Sequence, residues 1–99
     1  MEVNALVDTG ATFMCLTEEI ALQLGFDITE VSRQTVTLAD GHQLKVPKIA
    51  PIEIAFANRA YVTEAVVLGN EPLIGVIPLE AMDLVVDPQH PNYPVALAK

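Results

Sequence analysis

Seven consecutive residues, Ala5-Leu6-Val7-Asp8-Thr9-Gly10-Ala11, constrain this chain more than any other stretch. Ala, Leu and Val in succession suit a strand buried on both faces, and Thr-Gly directly afterwards can break that strand into a tight turn. An acidic side chain is thereby placed at the end of a rigid element. Burial raises a carboxylate's pKa whereas hydroxyl and backbone N–H donors lower it, so a carboxylate in this position is open to tuning for proton transfer. Asp after a strand also serves as an ordinary turn former or helix cap, and the heptapeptide alone leaves both readings open.

The rest of the sequence narrows the choice. A length of 99 residues gives one domain with a single core and excludes a second. Hydrophobic residues make up 52% of the chain and charged residues 18%, a globular composition more apolar than a freestanding domain of this size needs. An oligomeric interface is expected to take up the surplus. Thirteen acidic residues against five basic ones give a net charge of -8, which speaks against nucleic acid and anionic membrane surfaces as partners. With neither a basic-then-apolar leader nor a membrane-spanning run visible, a cytoplasmic location is expected. Cys15 is the only cysteine, so no intramolecular disulfide and no paired-cysteine zinc site is available. Between Met14 and Leu16 it reads as core filler. His42 and His90 stand far apart in the sequence with no zinc motif around either, so neither metal nor cofactor is expected.

Along the chain, Val3 to Val7 read as an inner strand and Thr12 to Leu16 as a second short one. A helix over about 17–24 follows, with Thr17 as N-cap, Glu18 and Glu19 complementing the positive end of the helix dipole, and Gly25 ending it. The alternating Thr35-Val36-Thr37-Leu38 and Gln43-Leu44-Lys45-Val46 flank Asp40-Gly41 and spell a hairpin. Pro47 and Pro51 are expected to punctuate a connection. Ile52, Ile54 and Phe56 alternate inward, Ala57-Asn58-Arg59 turns the chain, and Tyr61 to Leu68 returns as a strand. Leu73-Ile74-Gly75 is a second apolar run with a glycine, and Pro78 suits the first position of a short helix over 78–83. Leu84-Val85-Val86 reads as the last strand, with an irregular tail from Pro88 to Pro94.

A hydrophobic pair followed by Asp-Thr-Gly-Ala, with a later apolar-apolar-Gly at Leu73-Ile74-Gly75, resembles the retroviral-type (retropepsin-like) aspartic proteases, and among them the compact bacterial kind. The resemblance covers nearly the whole chain. It implies a mostly β, single-domain closed barrel of short strands and hairpins over 1–99, with one or two short helices. The Thr35–Pro47 hairpin would be the flap over the substrate and Ile52–Leu68 the next hairpin. Two departures stand out. Only seven residues precede Asp8, so the family's upstream strand and turn, whose N-terminus commonly pairs with the partner's C-terminal strand, are expected to be absent, truncated or replaced. The Arg that often follows the second glycine is replaced by Val76, so the active-site loop must be supported differently.

Peptide hydrolysis by carboxylates takes two of them about 3 Å apart sharing one proton, one activating water and the other donating to the carbonyl oxygen. One Asp-Thr-Gly is present, and Asp40, Asp83 and Asp87 lack its context. The resemblance therefore implies an aspartic endopeptidase active as a homodimer, in which two-fold symmetry brings Asp8 of both subunits together. It implies Asp8, Thr9 and Gly10 as catalytic-loop residues and Gly75 as the structural glycine beneath them. A peptide or protein substrate would lie against Leu6, Ala11, Thr12, Leu38, Ala39, Asp40, Gly41 and Leu73, bound as an added strand. The alternative is a catalytically silent binding or assembly module on the same fold. A phosphoryl-transfer site at Asp8 lacks a phosphate loop and a second acid for magnesium.

Overall fold

The computed structural model describes all residues, Met1–Lys99. The strand leading into Asp8 is β1 (Glu2–Val7), followed by β2 (Met14–Leu16), β3 (Arg33–Thr37), β4 (Gln43–Phe56), β5 (Arg59–Val67), β6 (Leu73–Ile74) and β7 (Asn92–Ala98). Two short helices, α1 (Glu18–Gln23) and α2 (Val76–Ala81), complete the inventory. The strands hydrogen-bond in the order β3-β4-β5-β2-β6-β1-β7, and β7 also pairs with β4. The six strands from β4 round to β7 therefore close into a ring. Only β3 stays outside it, as the outer strand of a hairpin.

The ring is built from local preferences that agree with burial. Ile52 and Ile54 are buried while Glu53 between them is exposed, and Val95 and Leu97 are buried while Pro94 and Ala96 are exposed, the period-two pattern of a strand with one face on a core. Ala5, Met14, Leu16, Ile49 and Ile74 join them in one cluster of 16 buried residues. Each large aliphatic side chain taken from water there stabilises the fold by about 1.5–3 kcal/mol. Thr17 caps α1, its Oγ1 accepting the Ile20 N–H at 3.1 Å, and Gly25 at φ +94° leaves the helix in the left-handed conformation. Glu18 and Glu19 face solvent.

Three of the differences from the sequence expectation involve a proline. The chain does not break at Pro47 and Pro51, because β4 runs unbroken through both. Lys48 N–H donates to Ser32 O, so the adjacent Arg33/Pro47 pair is of the non-hydrogen-bonded kind and needs no N–H from proline. Pro51 falls in the register shift between Ile49 and Ile52, where the ladder is already interrupted.

The second difference is at the end of the chain. Leu84, Val85 and Val86 form no strand; the last strand is β7, within the tail expected to be irregular. Leu97 and Met1 exchange both backbone bonds, so along the antiparallel pair Val3/Val95 and Ala5/Tyr93 are hydrogen-bonded pairs and Asn4/Pro94 is not. Pro94 thus turns its missing donor away from β1, on a stretch where the β4 pairing has already stopped at Ala96. The third difference is α2, which starts two residues before the expected Pro78. Gly75 is its N-cap and Pro78 its third residue, still within the first turn, where an N–H has no intrahelical acceptor to lose. The second strand is also shorter than read, starting at Met14 rather than Thr12.

Candidate active site

Asp8 is held by the ring rather than by its own loop. The N–H groups of Leu6, Val7 and Asp8 donate in turn to Pro72 O at 3.0 Å, Pro91 O at 2.8 Å and Ile74 O at 3.0 Å, alternating between the segments leading into or along β6 and the segment just before β7. The chain then folds back on itself. Ala11 N–H donates to Asp8 O at 3.0 Å, and Gly10 N–H donates to the Asp8 carboxylate at 2.9 Å. One carboxylate oxygen is thereby oriented, and no protein donor is bonded to the other.

The start of α2 supports this loop from below. The N–H groups of Val76 and Ile77 are among those that a helix cannot satisfy internally. They donate to Ala11 O at 2.9 Å and Thr12 O at 3.1 Å. Backbone donors of the residues standing where the family often has Arg therefore fasten the loop. They reach it because Gly75 has no side chain: a Cβ there would overlap the Phe13 carbonyl oxygen and lie 2.8 Å from both Ala11 O and Phe13 N.

Above the loop is a cleft of about 660 Å³. Asp8, Gly10, Ala11, Thr12 and Phe13 line it on one side, Cys15, Val66, Leu68 and Leu73 along the ring, and Thr35 to Ala39 on the hairpin side. Asp8 is half-buried and is the only carboxylate among these residues. Of the residues singled out from sequence, Asp8, Gly10, Ala11, Thr12, Leu38, Ala39 and Leu73 come together here. Leu6 is opposite Leu73 in the sheet but outside the cleft lining, and Thr9 is exposed beside it. Asp40 and Gly41 form the hairpin tip and do not line the cleft; Asp40 bonds to His42 instead.

The sequence reading missed Phe13, Cys15, Thr35, Val36, Thr37, Val66 and Leu68 as cleft residues. For Thr35 to Thr37 a signal existed, since one face of a flap strand must look into the cleft that the flap covers. For Cys15 and Val66 there was none, because their proximity comes from the parallel pairing of β2 with β5, which sets Cys15 opposite Val66 across 51 positions of chain. Cys15 is buried, and that burial pushes its thiol pKa up, with the nearby Asp8 carboxylate adding to the effect. The thiol is accordingly kept protonated in the cleft wall. No three His, Cys, Asp or Glu side chains are gathered as a metal site, and no helix is long and apolar enough to cross a membrane.

Comparison with known proteins agrees with the fold. The chain is similar to a retropepsin-like aspartic protease from Rickettsia conorii, with a TM-score of 0.68 and 24% sequence identity over 98% of this chain and 83% of that one. At that identity the likeness speaks for the fold. No curated protein sequence matches. A family model described as "gag-polyprotein putative aspartyl protease" matches residues 1–81, the span that includes Asp8, the hairpin and Gly75. The chain thus belongs to that family of retropepsin-like aspartic proteases.

Proposed function

We propose that this chain is one half of an aspartic endopeptidase, and that a two-fold homodimer sets Asp8 of each subunit side by side as the dyad that activates water. The observation that carries the reading is the single carboxylate in the cleft. Asp8 has one oxygen oriented by Gly10 N–H, and its neighbours Thr9 and Gly10 are exposed on the face where a second copy would meet it. One carboxylate can act as acid or as base in a step, whereas hydrolysis needs both at once. The pair would titrate as a unit, with the singly protonated form active.

In this assembly Thr9 fixes the loop across the axis, and Leu73, which lines the cleft, flanks the scissile bond. Ala11 and Thr12 border the substrate backbone while Leu38 and Ala39 cover it. The lining around Asp8 is mostly apolar, which favours apolar side chains on either side of the cleaved bond.

The test is incubation of the purified protein with an unstructured protein between about pH 4 and about pH 7, beside the Asp8→Asn variant, with the oligomeric state measured in the same buffers. Cleavage by the wild type that disappears in Asp8→Asn is expected. Cleavage retained by the variant, or none at any pH from confirmed dimers, leaves a silent binding module as the better reading.

A further inference from the structure

Leu84, Val85 and Val86 spell a strand but have no strand beside them. The segment belongs to neither a helix nor the sheet, although two β-branched residues after a leucine favour the pleated conformation. Leu84 N–H donates to Leu79 O, and Val85 O accepts the Tyr93 hydroxyl at 2.6 Å. The N–H groups of Val85 and Val86 and the carbonyls of Leu84 and Val86 find no partner within the chain. The side chains beyond Leu84 are equally bare. Leu84 is buried in the core, whereas Val85 is 72% and Val86 51% exposed. Of the seven large apolar side chains left in solvent, Ile77, Val85 and Val86 lie on α2 and the segment behind it, and the other four are spread over different parts of the fold.

We propose that Leu84–Val86 is the seam of the homodimer, the segment of one subunit lying antiparallel to the same segment of its partner across the two-fold axis and covering Val85 and Val86. The inference rests on the dimeric protease reading for the identity of the occupant, and adds to it the place where the two copies join.

Three observations select a second copy. The cleft holds one carboxylate, and the segment is fastened at both ends to the structure that carries it. It follows α2, whose first N–H groups hold Ala11 O and Thr12 O, and the stretch after it ends at Pro91, whose carbonyl accepts the Val7 N–H just before Asp8. Secondly, the strands of the ring have no edge to offer. β1 lies between β6 and β7, and Ala96 of β7 is opposite Glu2 on one side and Ala55 on the other. The pairing between chain termini that the family resemblance implies is therefore closed to this chain. Only β3 keeps an open edge, and its Thr35, Val36 and Thr37 line the cleft that a substrate must enter. Thirdly, a short stretch laid antiparallel on its own copy is self-complementary, as a two-fold axis requires. Unpaired backbone groups beside exposed valines are a template for such pairing. Charge opposes it, since Asp83 and Asp87 flank the segment and antiparallel pairing sets acids of both subunits at each end of the seam. Screening by salt accordingly tightens the dimer.

The experiment is sedimentation velocity over a concentration series of the wild type, of Val85→Ser combined with Val86→Ser, and of Val62→Ser, with cleavage of an unstructured protein measured on the same samples. Val62 is 60% exposed on β5 and controls for loss of an apolar side chain elsewhere. Serine changes no charge, and circular dichroism checks that each variant is folded. The wild type is expected to dimerise, more tightly in higher salt. The double variant should raise the dimer Kd about a hundredfold or more and lose cleavage at concentrations where the wild type is active, while Val62→Ser changes neither. Hydrogen exchange of the wild type needs no variant: the Val86 amide should exchange more slowly as protein concentration rises through Kd. Dimers that the double variant retains, or a Val86 amide indifferent to concentration in a dimerising wild type, overturn the seam and leave the homodimer reading standing. A wild type monomeric at every concentration overturns both. Double-variant monomers that still cleave, with activity abolished by Asp8→Asn, uphold the seam and refute the dyad.

Discussion

Replacing Gly75 by alanine tests how the active-site loop is held. Gly75 has φ -81° and ψ -178°, a backbone conformation open to any residue, so the cost of Gly75→Ala is steric. The added Cβ would overlap the Phe13 carbonyl oxygen and crowd Ala11 O and Phe13 N at 2.8 Å. All three are backbone atoms, and no rotamer change can move them aside. Overpacking of this kind costs about 1–3 kcal/mol. Separating the segments also strains the two bonds from Val76 and Ile77 N–H to Ala11 O and Thr12 O, each worth about 0.5–1.5 kcal/mol. The total is roughly 2–6 kcal/mol, against about 5–15 kcal/mol for a whole domain. Thermal unfolding followed by circular dichroism should show the melting temperature falling by roughly 8 °C or more. Gly41→Ala is the comparison, since it meets no atom and pays only for its left-handed backbone, about 1–2 kcal/mol. A loss below about 1 kcal/mol for Gly75→Ala would mean that the loop yields freely, and the account of how Asp8 is positioned would be wrong.

Two further outcomes follow from the same structure. Ala57 turns the β4–β5 hairpin at φ +54°, a region that disfavours any side chain, so Ala57→Gly should raise stability by about 0.5–1 kcal/mol in urea unfolding after glycine's own entropic cost; no gain would argue that the turn is unstrained. Cys15 should react with iodoacetamide at neutral pH far more slowly than a cysteine in an unfolded peptide, because burial first and Asp8 second oppose its thiolate. Asp8→Asn should speed that reaction. The sign for stability is fixed as well: the folded thiol ionises at higher pH than the unfolded one, so its contribution is full below the unfolded pKa and is lost as pH rises through the folded one.

The parts of the fold that were legible in the sequence are those decided within a few residues. Thr17 directly before Glu18, Glu19 and an apolar stripe has the local pattern of an N-cap, and its Oγ1 accepts the Ile20 N–H. Asp40-Gly41 between two alternating runs makes the turn of a hairpin, and Ile52 and Ile54 point to one side because a strand alternates. Proline marks the limit of that approach. Whether Pro47, Pro51 and Pro94 end a strand depends on whether their missing donor would have faced a partner, and the partner lies far away in sequence. Val76 and Ile77 carried no sign of a supporting role, since their contribution is made by backbone N–H groups that every residue but proline possesses.

By itself the sequence determined the chemistry on offer: one carboxylate at the end of an apolar strand, a hydroxyl and glycine after it, and a second glycine far along the chain. Those are properties of residue type and near neighbours, set by sterics and short-range hydrogen bonds. Tertiary structure decided how Asp8 is held and what surrounds it. It paired β7 with both β1 and β4 to close the ring, placed Cys15 and Val66 in the cleft wall, and brought the first turn of α2 against the loop. Such arrangements come from pairings between segments tens of residues apart, which only the burial of a shared core can select.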